Sequence, residues 1–314
     1  MYCSLVLVNW NAGSQLAEAV TSIAQHHHSL VSSVIIVDNV SVDDSLARVK
    51  ALTGLPFQLH IIRNSENRGF GAACNQGAAL AQSDYLLFLN PDTRLFEHSL
   101  SVPLAFMQRP ENADVGIVGI QLVDEHNHIA RSCARFPSLG IFLAQVFGVN
   151  RLPWLRHLTQ FMVEWSHDTT QQVNQVMGAF FLIRRSLFDS LGGFDERFFV
   201  YLEEVDLSLC AYEAGWRTIY LAEAQAFHAG GGTSRSVKAH RLFYFLRSRL
   251  LYGFKHFTLW QAWTLLGVTL LLEPASRSVF SLQRGGMQDM CNTWNAYGML
   301  YKDLPSILNK ARQT

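Results

Sequence analysis

The chain has 314 residues, 49% of them hydrophobic and 16% charged, with a formal net charge of zero. This length holds one large α/β domain with an appendage or two modest domains, and the composition excludes disorder as the default state. Electroneutrality argues against general affinity for nucleic acid. The five cysteines (Cys3, Cys74, Cys133, Cys210 and Cys291) are dispersed without metal or redox spacing, which fits reduced thiols in a cytosolic compartment.

In chain order, Leu5–Val8 reads as a buried strand that runs into the polar turn Asn9-Trp-Asn-Ala-Gly13. The opening apolar run, Cys3–Val8, has no basic leader and is too short for a signal peptide. Leu16–Ile23 has helical spacing, and His26, His27 and His28 read as the exposed end of that helix. Val34–Val37 is a second buried strand, ending at Asp38. Leu59–Ile62 is a third, followed by the loop Asn64–Gly71 and an alanine-rich helix over Ala72–Ala81. Tyr85–Leu89 is a fourth strand, stopped by Asn90-Pro91-Asp92. Short apolar strands alternating with helices predict a mainly parallel sheet covered on both faces. In such sheets ligands bind at the carboxyl ends of the strands. The clusters Asn9–Asn11, Asp38–Ser41 and Asn90–Asp92 are therefore expected on one rim.

Gln121–Gln175 is less regular and rich in aromatic residues, as an insertion that shapes a pocket would be. Regularity returns at Val176 and continues through Gly178–Arg184. Gly230-Gly-Gly232 permits a tight or mobile turn. Two helices are expected after it, Ala239–Phe254 and Phe257–Leu272. No acidic residue occurs between Glu223 and Glu273, whereas Arg235, Lys238, Arg241, Arg247, Arg249 and Lys255 all do. Such a one-sign block suits phosphate or a lipid headgroup surface. Phe257–Leu272 has 16 uncharged residues, including Trp260 and Trp263. It falls short of the ~20 residues a membrane span needs and fits an interfacial or a buried core helix equally.

Four segments carry residues suited to chemistry. In Asp38-Asn-Val-Ser-Val-Asp-Asp44, Asp38, Asn39 and Ser41 can hydrogen-bond a base or ribose, although these are also ordinary turn residues. In Asn67-Arg-Gly-Phe-Gly71 and Asn75-Gln-Gly77, Gly69 allows close backbone approach, and Asn67 and Asn75 offer donors and acceptors. The spacing matches neither the dinucleotide fingerprint nor the Walker loop, which lowers dehydrogenase and nucleotide-hydrolase readings. Asp92 caps an apolar strand, and one carboxylate plus a substrate diphosphate can hold Mg²⁺ or Mn²⁺. The densest segment, Gly192–Asp206, places Glu203, Glu204 and Asp206 at a helix start among aromatic residues. The helix dipole favours their ionised forms and aromatic walls oppose it, so one of them suits a general base.

Taken together, LVLVNWN, VDNVSVDDS, NRGFGAACNQG, YLLFLNPDT, GAFFLIRRSLFDSLGGFDERFFVYLEEVDL and FHAGGGTS resemble the family 2 glycosyltransferases. Within that family, with ARFPS at Ala134–Ser138, the chain is similar to the rhamnosyltransferase-like members that build bacterial surface polysaccharides. The resemblance covers roughly Ser4–Ser234. It implies a GT-A fold over residues 1–232, with a nucleotide-binding half to about 120 and an acceptor-binding half from about 121. Residues 233–314 would form a basic and apolar helical C-terminal region.

By the same resemblance, Asn9, Asn11, Asp38, Asn39, Ser41, Asn67, Gly69, Asn75 and Asp92 would surround a nucleoside-diphosphate sugar. Asp92 and His228 would hold a divalent cation, Mg²⁺ or Mn²⁺. Glu204 falls at the place of the catalytic base, more often aspartate, with Asp206 as its competitor. Arg247 and Arg249 of the basic block are candidates for a diphosphate or lipid headgroup. The implied reaction is inverting transfer to a saccharide or lipid-linked acceptor, in the cytoplasm or peripherally on the inner membrane face. A sugar-nucleotide-binding protein without transfer activity and a nucleotidyltransferase are the alternatives.

Overall fold

A computed structural model of the chain describes residues 3–230 and 237–311. Gly231 and Gly232 of the glycine turn, and Ser234 and Arg235, lie outside the described residues. The chain divides into two compact units.

The first unit comprises the described residues of Met1–Arg135, Trp165–Glu196 and Glu203–Thr233. Its elements begin with β1 (Cys3–Asn9), α1 (Gln15–His26), β2 (Val31–Asp38), α2 (Ser45–Lys50), β3 (Gln58–Arg63), α3 (Phe70–Leu80), β4 (Tyr85–Leu89) and β5 (Thr93–Leu95). They continue with α4 (Ser101–Gln108), β6 (Val115–Val123) and β7 (Cys133–Ala134). In the second unit α5 (Leu139–Phe147) follows, before the chain returns as β8 (Gln171–Val173), β9 (Gln175–Val176), β10 (Phe180–Arg184), α6 (Arg185–Ser190), α7 (Glu203–Glu213) and β11 (Arg217–His228).

Among the described residues nine strands form one sheet, in the order β3-β2-β1-β4-β10-β6-β11-β5, with β8 also on β11. The β3-β2-β1-β4 half is parallel, as the apolar runs predict. β1 and β4 are buried along their whole length, while β3, at the sheet edge, exposes Gln58, His60 and Arg63. The other half is mixed. β10 enters antiparallel to both β4 and β6, and β11 runs parallel to β6 but antiparallel to β5. Strand direction depends on where the chain re-enters the sheet, which apolar periodicity does not encode.

The helices pack according to their composition. α1 buries Leu16, Ala19, Val20 and Ile23, the i, i+3, i+4, i+7 stripe of an amphipathic helix. α3 presents small residues to the sheet, and a Cβ on Gly77 would lie 2.4 Å from Val6 Cγ1. His27 departs from its expected place at an exposed helix end. It is buried, its Nε2 lies 2.8 Å from the Phe96 carbonyl, and burial pushes its pKa down to about 4. Beneath β4 and β10, the rings of Phe88, Phe181, Phe188 and Phe194 form an aromatic cluster.

The second unit comprises the described residues of Phe136–Glu164, Arg197–Leu202 and Ser234–Thr314. Most of the irregular insertion therefore packs with the C-terminal helices instead of with the sheet: α5 is strongly apolar and buries Leu139, Ile141, Phe142, Ala144 and Val146. α8 (Lys238–His256) and α9 (Leu259–Gly267) follow, then one wide turn over Val268–Leu272 and α10 (Glu273–Ala311), which bends at Gly286. The helix does not stop at Pro274 as its sequence suggests. Proline cannot donate to the carbonyl four residues back; here the Tyr301 hydroxyl donates to that Leu270 oxygen at 2.7 Å.

Candidate active site

The register of the parallel strands sets the first part of the site. Asn9 pairs with Asp38 and Asp38 with Arg63, so the three strands end level. Asn9 is fully buried, its Nδ2 donates to Asp38 Oδ1 at 2.8 Å, and the hydroxyls of Ser41 and Ser45, at 2.9 and 2.8 Å, share its second N–H. The Asn11 N–H donates to the same Ser41 hydroxyl, and Asn11 Oδ1 accepts from the Val42 N–H. Asn39 Nδ2 donates to the Gly69 carbonyl, and Asn39 Oδ1 accepts from Asn64. Asn67 Oδ1 accepts from the Gly69 N–H at the turn where α3 begins, with Gly69 at φ 86°.

These predicted residues do converge, but several are committed to one another. Asn9 and Asn11 brace Asp38 and the Ser41 turn through these bonds, while Asn9 Oδ1 has no hydrogen-bond partner among the described residues. Asn75 is likewise reassigned. Its amide donates to the Phe194 carbonyl and Glu196, and its oxygen accepts from the Phe194 N–H, so it clamps α3 to the Gly192–Phe194 turn. Asn64 and Gln76, which exchange two hydrogen bonds beneath Asn39, were not singled out in the sequence although both lie in the quoted segments, because spacing does not show that the two amides meet.

The second part joins residues far apart in sequence. β5 pairs with β11 so that Thr93 faces His228, and the Ala229 N–H donates to the Asp92 carbonyl at 3.1 Å. Asp92 Oδ1 lies 3.4 Å from His228 Nε2, and both side chains are about nine-tenths buried. One carboxylate oxygen and one imidazole nitrogen thus point at a common position. That donor set fits Mn²⁺ or Mg²⁺ when diphosphate oxygens and water complete the coordination.

The third part is α7. Tyr201 and Leu202, the residues leading into it, both adopt left-handed backbone (φ 70° and 69°), a conformation rare outside glycine and concentrated at functional sites. Glu203 and Asp206 are buried, and Asp206 already has partners of its own. Glu204 is half-buried and lies against Gly178, where an added Cβ would sit 3.9 Å from its carboxyl carbon. Glu204 Oε2 is out of solvent contact and has no hydrogen-bond partner among the described residues. Burial raises the Glu204 pKa; the N–H groups of Glu204, Gly178 and Val205 oppose this and do not win. Burial raises Glu203 further, with the Glu204 charge adding to it. Desolvation, and not the helix dipole, decides these carboxyl groups.

Gly178 links the second and third parts. The next carbonyl, of Ala179, accepts from the Asn90 N–H at 3.1 Å and from the Thr93 hydroxyl at 3.4 Å. The turn that carries Asp92 and the side chain of Glu204 are therefore both anchored on the Gly178–Ala179 segment. A glycine just ahead of a buried strand was the sequence signal for this contact.

Arg247 and Arg249 do not belong to a ligand surface. Arg249 is fully buried and paired with Glu273 and Thr269, while Arg247 bonds Asp303 at 2.8 Å and the Arg197 carbonyl. A desolvated guanidinium needs a fixed partner, and these two have theirs.

The model of Glycosyl transferase family 2 matches residues 4–192. The chain is 27% identical, over 84% of its length and 89% of the relative's, to an N-acetylglucosaminyl-diphospho-decaprenol L-rhamnosyltransferase of Mycobacterium tuberculosis. It is 27% identical, over 55% of its length and 62% of the relative's, to rhamnosyltransferase WbbL of Escherichia coli. In fold it is similar to the mannosyltransferase PcManGT of Pyrobaculum calidifontis, solved with GDP-Man and Mn²⁺, at a TM-score of 0.56 and 14% identity over 99% of this chain and 85% of that one. A nucleotidyltransferase or a binding protein without transfer activity is not what these likenesses favour. The sheet, the motifs within it and the family match agree: this chain belongs to the family 2 glycosyltransferases and has their GT-A fold.

Proposed function

We propose that the chain transfers rhamnose, with inversion, from a nucleoside-diphosphate sugar to a hydroxyl of a lipid-linked saccharide. The observation that carries this reading is the Glu204 carboxyl group. It is desolvated, has one oxygen without a partner, and is fixed on the same segment as the Asp92 turn. Glu204 would take the acceptor proton as that hydroxyl attacks the sugar carbon on the face opposite the leaving diphosphate. One displacement inverts the anomeric centre and needs no covalent enzyme intermediate. Asp92 and His228 would hold Mg²⁺ or Mn²⁺, which when bound supplies positive charge to the leaving diphosphate. Asp38, oriented by Asn9 and Ser41, and Asn39 with the Gly69 turn would seat the nucleotide.

The setting would be the inner membrane face. Leu259–Gln283 is long and apolar enough to cross a membrane, yet only 28% of its most apolar stretch is buried. Ala262, Leu265 and Leu266 pack inward, while Leu259, Trp260, Trp263 and Leu271 stand exposed. A helix with one packed face and one Trp-bearing apolar face suits the membrane interface, lying along the surface. The test is to incubate the purified chain with nucleoside-diphosphate rhamnose and a polyprenyl-diphosphate-linked N-acetylglucosamine, with Mn²⁺ or with EDTA. Transfer that needs the cation and inverts the anomeric configuration by NMR is expected. Retained configuration would sink the single-displacement reading.

A further inference from the structure

The basic block has two fates in the fold. Arg247 and Arg249 turn inward, but Lys238 and Arg241, in the first turn of α8, do not. With Arg277 of α10 they line a cavity of about 530 Å³, walled also by Tyr201, Asn292 and Thr293. Arg241 is exposed and has no carboxylate partner among the described residues. Lys238 Nζ lies 2.9 Å from Asp289, and Arg277 Nε lies 2.8 Å from Glu273, whose charge is shared with buried Arg249. Three cations thus line the cavity against one carboxylate, Asp289, and the positive end of a 19-residue helix lies there too. Asn292 and the Ser281–Thr293 hydroxyl pair, 3.0 Å apart, add neutral hydrogen-bonding groups. The Tyr201 ring is set edge-on to Phe245, and its backbone is held at φ 70°. Leu242 and Phe245 of α8 add apolar wall to the same cavity.

We infer that this cavity binds a diphosphate group, and that the diphosphate is the one joining the acceptor saccharide to its lipid. The excess of guanidinium and ammonium groups selects a multiply charged phosphate ester. The apolar side chains beside it select one attached to a lipid. The inference rests on the lipid-linked acceptor of the preceding section and assigns its anionic part to Lys238, Arg241 and Arg277.

The full-length protein is titrated with inorganic pyrophosphate in EDTA by calorimetry, as wild type, Arg241→Gln and Lys238→Gln/Arg241→Gln. Arg241→Gln should weaken binding about tenfold, the worth of one charge-assisted hydrogen bond, and the double variant more, with unchanged melting temperatures. Flotation with phosphatidylcholine vesicles, plain or doped with a polyprenyl diphosphate, distinguishes the sources. Retention on the doped vesicles alone, lost in Arg241→Gln, is the expected result. Arg241-dependent pyrophosphate binding without such retention would overturn the lipid-borne source and assign the cavity to free diphosphates. Pyrophosphate affinity unaltered in the double variant would overturn the site itself. A wild type that transfers no sugar but binds pyrophosphate through Arg241 would count against the transferase reading alone.

Discussion

Replacing Glu204 by Gln separates catalysis from folding in a way the structure makes quantitative. Gln keeps the volume of the side chain and an oxygen facing the Gly178 N–H, but it cannot accept a proton. A positioned general base is worth about 10²–10⁴ in rate, or about 2.7–5.4 kcal/mol of barrier at 1.36 kcal/mol per decade. That loss is expected in kcat, with donor affinity unchanged. Stability should move the other way. The folded state holds the Glu204 pKa above its ordinary value through burial. The stability contributed by the neutral acid is therefore present at low pH and lost as pH rises through the raised pKa. The variant has no such dependence and should melt at least as high as the wild type at neutral pH. The same raised pKa places the acid limb of kcat/KM above the usual glutamate range near 4.3. Stopped-assay kinetics from acid to neutral pH, with parallel thermal melts, test all of this. A Glu204→Gln enzyme retaining more than about a tenth of wild-type kcat would refute the assignment. Asp206→Asn, at a carboxylate that already has partners, would then be the informative variant.

Further outcomes follow from other parts of the molecule. Asp92→Asn should abolish the enhancement of donor binding by Mn²⁺ while leaving binding in EDTA as it was, read by calorimetry. Glu273→Ala strands the fully buried Arg249 and should cost about 3–5 kcal/mol in denaturant unfolding, whereas Arg249→Met/Glu273→Leu should recover most of it. Val40, a β-branched residue at φ 63° in the Asp38–Ser41 turn, carries left-handed strain of about 1–2 kcal/mol. Val40→Asn should raise the melting temperature, since asparagine tolerates that conformation.

Much of this was legible in the residues. Three of the four parallel strands, β1, β2 and β4, showed as short apolar runs, because burial on both faces leaves no polar alternation. Asp38, Asp92 and Glu204 stood out as polar groups set against apolar runs. The roles of Asn9, Asn11 and Asn75 were not legible, since an amide that binds a ligand and one that braces a turn have the same letter and the same neighbours. The basic block shows the same ambiguity. Charge counting gave all six cations one destination, but α8 is buried on every side over Leu246–Gly253, which takes Arg247 and Arg249 out of solvent, while its first turn leaves Lys238 and Arg241 exposed.

Local order therefore determined the strands, the helices and the family, because those depend on neighbours within a few positions. The mixed sheet, the meeting of Asp92 with His228 and the setting of Glu204 against Gly178 were decided by tertiary structure. Each joins segments separated by chain the sequence does not measure across. Desolvation, which raises the pKa of Glu203 and Glu204, exists only once those segments have excluded water.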